Sequence, residues 1–512
     1  MAEQAGEIPG RRARPPLELL VFVVGSSTLG AEIAAARLMA PFFGASTIVW
    51  ANTIAIVLVA LSIGYWFGGR MADRHPDLRS LCLLVLIASL LLGLVPIVAG
   101  PFLSLSVEAF DNVSIGAFAG SLFGVLALVA VPVLMLGAVS PWAIRLKLER
   151  LEDSGETAGR MYAISTVGSL VGTFLSALLL IPLVGTQRTF LTFALALAIV
   201  SALGLGRRFA LVPLAVAALL ALPVGTVKAA GEGRVIHETD TEYQYARVID
   251  YPGGVRRLEL NEGQAIHSVY RPGTVLTGDY WDEYLVAPFA MLPQAPRRIA
   301  ILGFAGGTTA RAYAHYYPRT RVDGVEIDGE LFDIAHRYFG LRSRPELREF
   351  AEDARPYLRR TGVRYDAIFL DTYRQPYIPF YLTTKEFFRL VRDRLAPGGS
   401  VLINVGHPEG DDRLEQVLSA TLATAFPHVT RDPLKDTNTV LIGSTTPATP
   451  ANLRAAAADG RVPRELGPLA LRVAERLAPA LRGGEVYTDD RAPVEWLVDR
   501  SIVEYAAGGE GG

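Results

Sequence analysis

The chain has 512 residues, with 49 basic against 51 acidic side chains and a net charge of −2. A chain of this length exceeds one compact core, so at least two domains are expected. It has no basic surplus to neutralise phosphates, which argues against nucleic-acid binding. With one cysteine, Cys82, and seven histidines that lack metal-ligand spacing, we expect neither an internal disulfide nor a metal site.

Charged residues are sparse from Leu17 to Val227 and evenly spread from Lys228 onward. A bilayer core requires about 20 apolar residues per helix, and seven runs in the first half approach or exceed that length. They predict an all-α transmembrane bundle over residues 17–227, preceded by an arm of residues 1–16. The runs are Leu17–Ala40, Ala45–Gly68, Leu81–Leu103, Gly116–Ala143, Met161–Val184, Thr189–Gly206 and Phe209–Val227.

The basic side chains indicate which ends of these runs face the cytoplasm, because arginine and lysine accumulate on that side. They precede the first run and follow the second, fourth and sixth: Arg11, Arg12, Arg14, Arg70, Arg74, Arg79, Arg145, Lys147, Arg150, Arg160, Arg207 and Arg208. The alternate connections hold only Arg188. We therefore expect a multi-pass cell-membrane protein with a cytoplasmic N-terminus. Seven crossings would place everything after Val227 on the exoplasmic side.

The second half begins with short strands and turn signals, which predict a small β-rich subdomain over residues 231–295. Tyr243–Tyr251 and Arg256–Leu260 flank Pro252-Gly253-Gly254, a pattern typical of a hairpin. Helix and strand patterns then alternate over residues 296–500, which predicts a Rossmann-like α/β domain. Residues 501–512 are expected to form a flexible tail.

A Gly-rich turn at residues 303–308 follows the apolar strand Arg298–Leu302. Its glycines are Gly303, Gly306 and Gly307. Glycines let the backbone approach a ligand and leave the N–H groups of the next helix available. The following strand, Arg321–Ile327, carries Glu326 at its end, where a carboxylate can accept hydrogen bonds from both ribose hydroxyls. This order predicts a nucleoside site.

Two further strands deliver carboxylates to the same sheet edge. Asp353 and Ala354 follow Arg348–Ala351, so Asp353 can accept a hydrogen bond from an adenine amino group. The apolar strand Tyr365–Leu370 ends directly before Asp371. Because α/β sheets bind ligands at the carboxyl ends of their strands, we expect these groups to share one pocket.

In the order of these motifs the sequence resembles the spermidine synthases, specifically the bacterial branch fused to an N-terminal membrane domain. The resemblance runs from about Arg234 to Leu497. It also includes Gly-Gly-Arg-Met-Ala-Asp at 68–73 and the segment Gly159–Ala163. Thr488–Glu495 resembles a closing motif of the fused branch. The resemblance implies a spermidine-synthase fold, no prosthetic group, decarboxylated S-adenosylmethionine as co-substrate, and possible self-association.

The resemblance also implies roles for individual residues. Gln244 matches the glutamine near the nucleoside thioether, and Glu326 matches the ribose ligand. The adenine-contacting pair is matched by Asp353 and Ala354. Asp371 matches the catalytic aspartate. Asp282 and Glu283 lie where the family has an aromatic-x-Glu motif near the amine.

The implied reaction transfers a propylamine group from decarboxylated S-adenosylmethionine to an amine such as putrescine and releases methylthioadenosine. An amine is protonated near neutrality, so it needs a carboxylate to take a proton and position its lone pair. Asp371 is expected to do this. The leaving group is neutral and requires no acid.

Two positions depart from the family pattern. Ala305 replaces an aspartate that faces the diamine, and Arg374 replaces a second aspartate three residues after the catalytic one. One fewer carboxylate and one more cation predict weaker binding of a dicationic acceptor. Tyr373, with Tyr377 and Tyr381, could form a more neutral aromatic cage.

Two other functions use the same residues. One is an S-adenosylmethionine-dependent methyltransferase that acts on a membrane-proximal acceptor, since the same sheet and Glu326 would serve it. The other is a membrane transporter or sensor whose second domain binds a polyamine or nucleoside without turnover.

Overall fold

A computed structural model of the chain describes residues 17–43, 47–110, 116–148, 150–222, 228, 232–261, 265–372, 378–498 and 500. The predicted arm, the predicted tail, Tyr373 and Arg374 lie outside the described residues. The chain divides into two compact units. The first consists of Met1–Met39, Ile48–Val107 and Ala117–Val227, and the second of Ala40–Thr47, Glu108–Gly116 and Lys228–Gly512.

The described part of the N-terminal region is helical. Its helices are α1 Leu17–Phe43, α2 Thr47–Arg74, α3 Leu78–Phe110, α4 Gly116–Leu128, α5 Ala130–Gly137, α6 Val139–Lys147, α7 Ser154–Leu175, α8 Ile181–Val184, α9 Thr186–Leu205 and α10 Leu211–Ala221. A five-residue π-helical segment, Ser176–Leu180, joins α7 to α8. The predicted run at 116–143 corresponds to α4, α5 and the first part of α6. Helical hydrogen bonds, such as those from Val129 N–H to the Val125 oxygen and from Ala138 N–H to the Leu134 oxygen, continue across the breaks.

Six described helical segments are long and apolar enough to cross a membrane, judged by length and composition. They are Leu17–Phe43, Val49–Arg74, Leu78–Ser106, Ala130–Lys147, Ser154–Val184 and Thr186–Leu205. The predicted seventh run forms only the 11-residue helix α10 within the described residues. At 1.5 Å per residue, such a helix covers about 16 Å of a core about 30 Å thick. The expectation of seven spans is therefore corrected to six in the described part of the chain.

Helices α1 and α7 approach closely at two glycines. A Cβ added at Gly172 would collide with the carbonyl oxygen of Ser26, and one added at Gly168 would collide with that of Phe22. Both contacts join backbone to backbone, so no side-chain rotation relieves the overlap. Small residues at such crossings let helix backbones pack at short range.

The C-terminal region begins with a four-stranded antiparallel sheet in the order β1-β2-β3-β4. Its strands are β1 Arg234–Asp240, β2 Tyr245–Tyr251, β3 Val255–Leu260 and β4 Ile266–Tyr270. The predicted hairpin is confirmed, because β2 pairs with β3 in a register that places Tyr251 opposite Val255. Gly253, in the connecting turn, has φ 82°, a backbone conformation that glycine adopts readily.

The larger sheet has eight strands in the order β12-β10-β11-β9-β8-β5-β6-β7. They are β5 Arg298–Leu302, β6 Arg321–Glu326, β7 Leu347–Ala351, β8 Tyr365–Leu370, β9 Leu395–Gly406, β10 His428–Lys435, β11 Asn438–Ser444 and β12 Ala478–Pro479. Strands β5 to β9 pair in parallel. The chain moves outward from β5 to β6 and β7, and then returns to the other side of β5 as β8. This reversal creates a crevice between β5 and β8, where α/β sheets bind ligands.

Helices cover both faces of this sheet. They are α11 Tyr280–Glu283, α12 Thr308–Tyr316, α13 Glu330–Tyr338, α14 Ala354–Arg360, α15 Lys385–Asp393, α16 Arg413–Ala423, α17 Pro450–Ala458 and α18 Gly467–Arg476. Along β5, Ile299 and Ile301 belong to one hydrophobic cluster, whereas Ala300 and Leu302 belong to another. Because both faces are buried, the strand is a continuous apolar run.

Candidate active site

A cavity of about 260 Å³ lies at the carboxyl edge of the parallel strands. Four strand ends contribute to its wall: Gly303 and Ala305 after β5, Glu326 and Ile327 at β6, Glu352, Asp353 and Ala354 after β7, and Asp371 and Thr372 after β8. The small sheet adds Tyr243, Gln244, Leu260 and His267, and later segments add Pro379, Phe380, Tyr381, Leu382 and Glu495. Parallel strands end at one edge, so side chains far apart in sequence meet there.

The wall of the cavity is acidic. Five of its residues carry carboxylates: Glu326, Glu352, Asp353, Asp371 and Glu495. Among the described lining residues, none is a lysine or an arginine. Burial lowers the pKa of the His267 imidazole to about 4, so this ring is neutral at neutral pH. The cavity therefore suits a cationic ligand.

The turn that follows β5 depends on Gly303, which has φ 85°. A Cβ at this position would collide with the carbonyl oxygen of Asp371, whose backbone N–H donates to Leu302 at 2.9 Å. The other two predicted glycines are not among the lining residues. Gly306 donates its N–H to Ser268 Oγ at 2.8 Å, and Gly307 lies in the left-handed region immediately before α12. They shape the turn, whereas Gly303 lines the cavity.

Glu326 reaches the cavity from the end of β6. Its Oε2 accepts a hydrogen bond from the N–H of Ala305 at 2.9 Å, and its Oε1 accepts one from the N–H of Asp328 at 3.2 Å. Burial raises the pKa of Glu326 to about 7, although these backbone N–H groups favour the charged form. The carboxylate is therefore fixed between two loops before any ligand binds.

Gln244 enters the cavity from the connection between β1 and β2. Its Nε2 donates to Asp328 Oδ2 at 3.2 Å, and the hydroxyl of Thr241 donates to the same oxygen at 2.7 Å. Asp328 follows β6 by two residues. The small sheet thus supplies a polar side chain that is held beside the end of the second parallel strand.

Asp353 and Ala354 line the side of the cavity formed after β7. Asp353 caps α14, because its Oδ1 accepts a hydrogen bond from the N–H of Arg355 at 2.8 Å. Its Oδ2 accepts a hydrogen bond from the hydroxyl of Tyr381 at 2.5 Å. Tyr381 belongs to the segment 378–382, so this bond joins that segment to the sheet edge.

Asp371 is held at the end of β8 by neutral donors. The hydroxyl of Tyr280 donates to Oδ2 at 2.7 Å, and Nδ2 of Asn404 donates to Oδ1 at 3.0 Å. Asn438 Nδ2 donates to the amide oxygen of Asn404 at 2.7 Å, which fixes the orientation of that amide. Burial raises the pKa of Asp371, while the hydrogen bonds from Tyr280, Asn404 and Trp281 favour the charged form. The result is a buried, oriented carboxylate.

Asp282 and Glu283 are not among the residues that line this cavity, so their contact with an amine stays a prediction. Asp282 accepts hydrogen bonds from the backbone of Thr277 at 2.9 Å and of Gly278 at 2.7 Å. Glu283 Oε1 lies 3.1 Å from Nη2 of Arg476, and burial raises its pKa to about 8. All these residues surround the short helix α11. Tyr280 and Trp281, at the start of this helix, bond to Asp371, whereas Asp282 and Glu283 bond to groups outside the cavity wall.

Two residues that bond to Asp371, Asn404 and Tyr280, were not singled out from the sequence. Asn404 lies near the end of β9, and the strand-end rule that selected Asp371 would also have selected it. Tyr280 lies one residue before the predicted Trp281-Asp282-Glu283 motif. Glu495 follows no strand of the sheet, so only its place in the closing motif drew attention to it.

A separate group of possible metal ligands consists of His407, Asp412 and Glu415, whose ligand atoms lie within 4.8 Å of one another. Glu415 is fully buried, and its Oε1 lies 2.7 Å from Nε of Arg431. This guanidinium already compensates the buried carboxylate. The group is not part of the cavity wall described above.

The strand order of the large sheet, with an acidic cavity at its crevice, defines a doubly wound α/β domain. Residues 280–433 match the family described as "Spermine/spermidine synthase domain". This part of the chain is therefore similar to the spermidine synthases, in agreement with the resemblance seen in the sequence.

Curated relatives agree with this assignment. The "Probable polyamine aminopropyl transferase" of Bifidobacterium longum is 33% identical over 196 residues, which cover 38% of this chain and 43% of the relative. The "Polyamine aminopropyltransferase" of Vibrio vulnificus is 32% identical over 184 residues, covering 34% and 60%. The chain thus spans about half the length of these two relatives. A crystal structure of a probable spermidine synthase from Corynebacterium glutamicum covers 50% of this chain and 98% of its own, at 24% identity and a TM-score of 0.37.

Proposed function

We propose that this protein is an aminopropyltransferase that moves a propylamine group from decarboxylated S-adenosylmethionine to an amine such as putrescine. The carrying observation is that Glu326 and Asp371 line one acidic cavity at the crevice of the sheet. The donor has a sulfonium and an ammonium group, and the acceptor is also a cation. An anionic, partly desolvated cavity attracts both.

The proposed donor site uses the carboxyl edge of β5, β6 and β7. Glu326 would accept hydrogen bonds from the ribose hydroxyls, and Asp353 with Ala354 would contact the adenine. Gln244 would lie near the sulfur. All four residues line the same cavity, which supports this arrangement.

Asp371 would act on the acceptor. The nitrogen lone pair attacks the propyl carbon bonded to sulfur, the new C–N bond forms, and the electrons of the broken C–S bond remain on sulfur. The sulfonium becomes a neutral thioether, so methylthioadenosine leaves without protonation. The amine loses one proton, which Asp371 accepts directly or through water. Tyr280 and Asn404 hold the carboxylate in position, which fits catalysis better than binding without turnover.

The charge of the cavity also favours the decarboxylated donor over intact S-adenosylmethionine. The intact molecule carries an additional carboxylate, for which a complementary cation would be needed. The described lining residues include five acids and no positively charged side chain, since the His267 ring is neutral at neutral pH. Aminopropyl transfer is therefore favoured over methyl transfer.

Turnover by the purified full-length protein tests this proposal. With putrescine present, decarboxylated S-adenosylmethionine should yield methylthioadenosine, and intact S-adenosylmethionine should yield no methylated product. Asp371→Asn should lower kcat by about 10²–10⁴-fold, since positioned proton transfer contributes on that scale. Affinity for methylthioadenosine should stay within about threefold, because its ribose and adenine contacts remain.

Asp393→Asn is the matched control, because Asp393 is an exposed aspartate at the end of α15. It should retain wild-type turnover. Methyl transfer from the intact donor, or full activity in Asp371→Asn, would refute the proposed reaction.

We further propose that the N-terminal region integrates the enzyme into the cell membrane, with its N-terminus in the cytoplasm. Six apolar helical segments support integration. The arginines that flank the α2–α3 connection and the α9–α10 connection support the orientation.

A further inference from the structure

The segment Thr488–Glu495, which resembles a closing motif of the fused branch, has no role in the proposed reaction. It lies beyond the last strand of the large sheet. Glu495 nevertheless lines the same cavity as Asp371. An acidic residue that does not follow a strand of the sheet is therefore part of the cavity wall.

The beginning of this segment is clamped to two helices at the cavity. Asp489 accepts hydrogen bonds from both terminal nitrogens of Arg355, at 2.9 and 2.5 Å, and from the hydroxyl of Thr384 at 2.7 Å. Its backbone N–H donates to Glu386 at 3.0 Å. Arg355 lies in the first turn of α14 and Thr384 caps α15, so the segment is fixed where both helices begin.

The clamp continues into the cavity wall. Arg355 Nη1 also donates to the carbonyl oxygen of Tyr381 at 3.1 Å, and the Tyr381 hydroxyl bonds to Asp353. Val494 is buried in the hydrophobic cluster that contains Leu370, the residue before Asp371. Polar and apolar contacts therefore both position the residue that precedes Glu495.

The other acids of the cavity lie at the strand ends: Glu326 ends β6, Glu352 and Asp353 follow β7, and Asp371 follows β8. The proposed reaction assigns Asp371 to the proton of the acceptor. The two substrates together carry at least two ammonium groups. A second positive charge would therefore lie in the same cavity.

On the basis of the proposed function, we propose that Glu495 binds a primary ammonium group of a substrate. The ammonium belongs either to the acceptor amine or to the propylamine chain of the donor, which share this chemistry. In either case Glu495 adds a charge-assisted contact to those that the acids at the strand ends can make.

The variant Glu495→Gln in the full-length protein tests this assignment, because it removes the charge and keeps the shape. Binding of putrescine, decarboxylated S-adenosylmethionine and methylthioadenosine is measured by calorimetry, together with both KM values. We expect about a ten- to hundredfold loss of affinity for one ammonium-bearing substrate, as for a lost hydrogen bond to a charged group. Loss confined to putrescine identifies the acceptor, and loss confined to the donor identifies the propylamine chain.

Methylthioadenosine contains neither an ammonium nor a sulfonium, so its affinity should not change. Glu495→Asp should recover part of the lost affinity. Glu485→Gln is the matched control, since Glu485 belongs to the same region and pairs with Arg491 at its surface. An equal loss of methylthioadenosine binding, or no change for either ammonium-bearing substrate, would overturn the assignment. The binding measurements need no turnover, so an inactive wild-type protein would refute the reaction and leave the Glu495 test intact.

Discussion

The protonation state of Asp371 is set by two opposing influences in its surroundings. Burial raises its pKa by disfavouring the charged form, and the hydrogen bonds from Tyr280, Asn404 and Trp281 lower it by stabilising that form. A proton acceptor must be ionised, so the balance determines how far the pH can fall before the proposed reaction stops.

Tyr280→Phe should move the acidic limb of the kcat profile to higher pH. The change removes the hydroxyl that donates to Asp371 Oδ2, so the charged form is less stable and the pKa rises further. One such bond corresponds to a shift of about one pH unit. Measuring kcat at saturating substrate reports the bound complex, which separates this effect from titration of Glu326 in the free enzyme.

The control is Tyr316→Phe, which removes a hydroxyl that bonds to Glu465 outside the cavity. It should leave the acidic limb in place. If Tyr280→Phe lowers kcat but leaves the acidic limb at the wild-type pH, another group governs the dependence of kcat on pH.

Among individual side chains, those that follow strands were easier to predict from the sequence than those on short helices. Glu326, Asp353 and Asp371 each follow or end a parallel strand, and strand ends meet at one edge whatever the loops do. Glu283 depended on the direction of a four-residue helix. The residue pattern does not give that direction for so short a helix, and here Tyr280, three positions before Glu283, donates to Asp371.

Among the elements, the buried strands were the most predictable. The predicted strands Arg298–Leu302 and Tyr365–Leu370 have the same bounds in the structure. The last apolar run was less predictable, because hydropathy does not show where a helix ends. Leu222 has an extended backbone, with φ −71° and ψ 147°, and ends α10. Pro223 follows it in the sequence, and a residue before proline avoids helical geometry.

The contact between α1 and α7 can be tested by substitution at one of its glycines. Gly172→Leu should destabilise the N-terminal helical region, because its side chain would collide with the backbone of Ser26 in α1. Overpacking of this kind costs about 1–3 kcal/mol or more. The expected result is a lower melting temperature, and less monodisperse protein after extraction in detergent.

Gly159→Leu provides the matched comparison. Gly159 lies in the same helix, but an added Cβ would have nothing within 4 Å. Replacing glycine inside a helix should be neutral or stabilising there. Equal losses in the two variants would mean that the α1–α7 crossing is not the source of the effect.

At the scale of the whole chain, the distribution of charge predicted two regions. Charges are sparse up to residue 227 and frequent beyond it, and the structure divides the chain mainly at Lys228. Composition could not predict that the short segments Ala40–Thr47 and Glu108–Gly116 are grouped with the second unit.

The arginines predict the orientation of the apolar helices in a membrane. A reporter inserted at residues 75–77, between Arg74 and Arg79, should be cytoplasmic, and one inserted at residue 45 should be exoplasmic. Replacing Arg70, Arg74 and Arg79 with glutamine should reduce the fidelity of this arrangement. Cytoplasmic signals at both insertion sites would contradict the rule for this chain. A reporter fused after Gly512 tests the number of crossings. Six crossings would place it on the cytoplasmic side with the N-terminus, whereas an exoplasmic signal would require residues 209–227 to complete a seventh crossing.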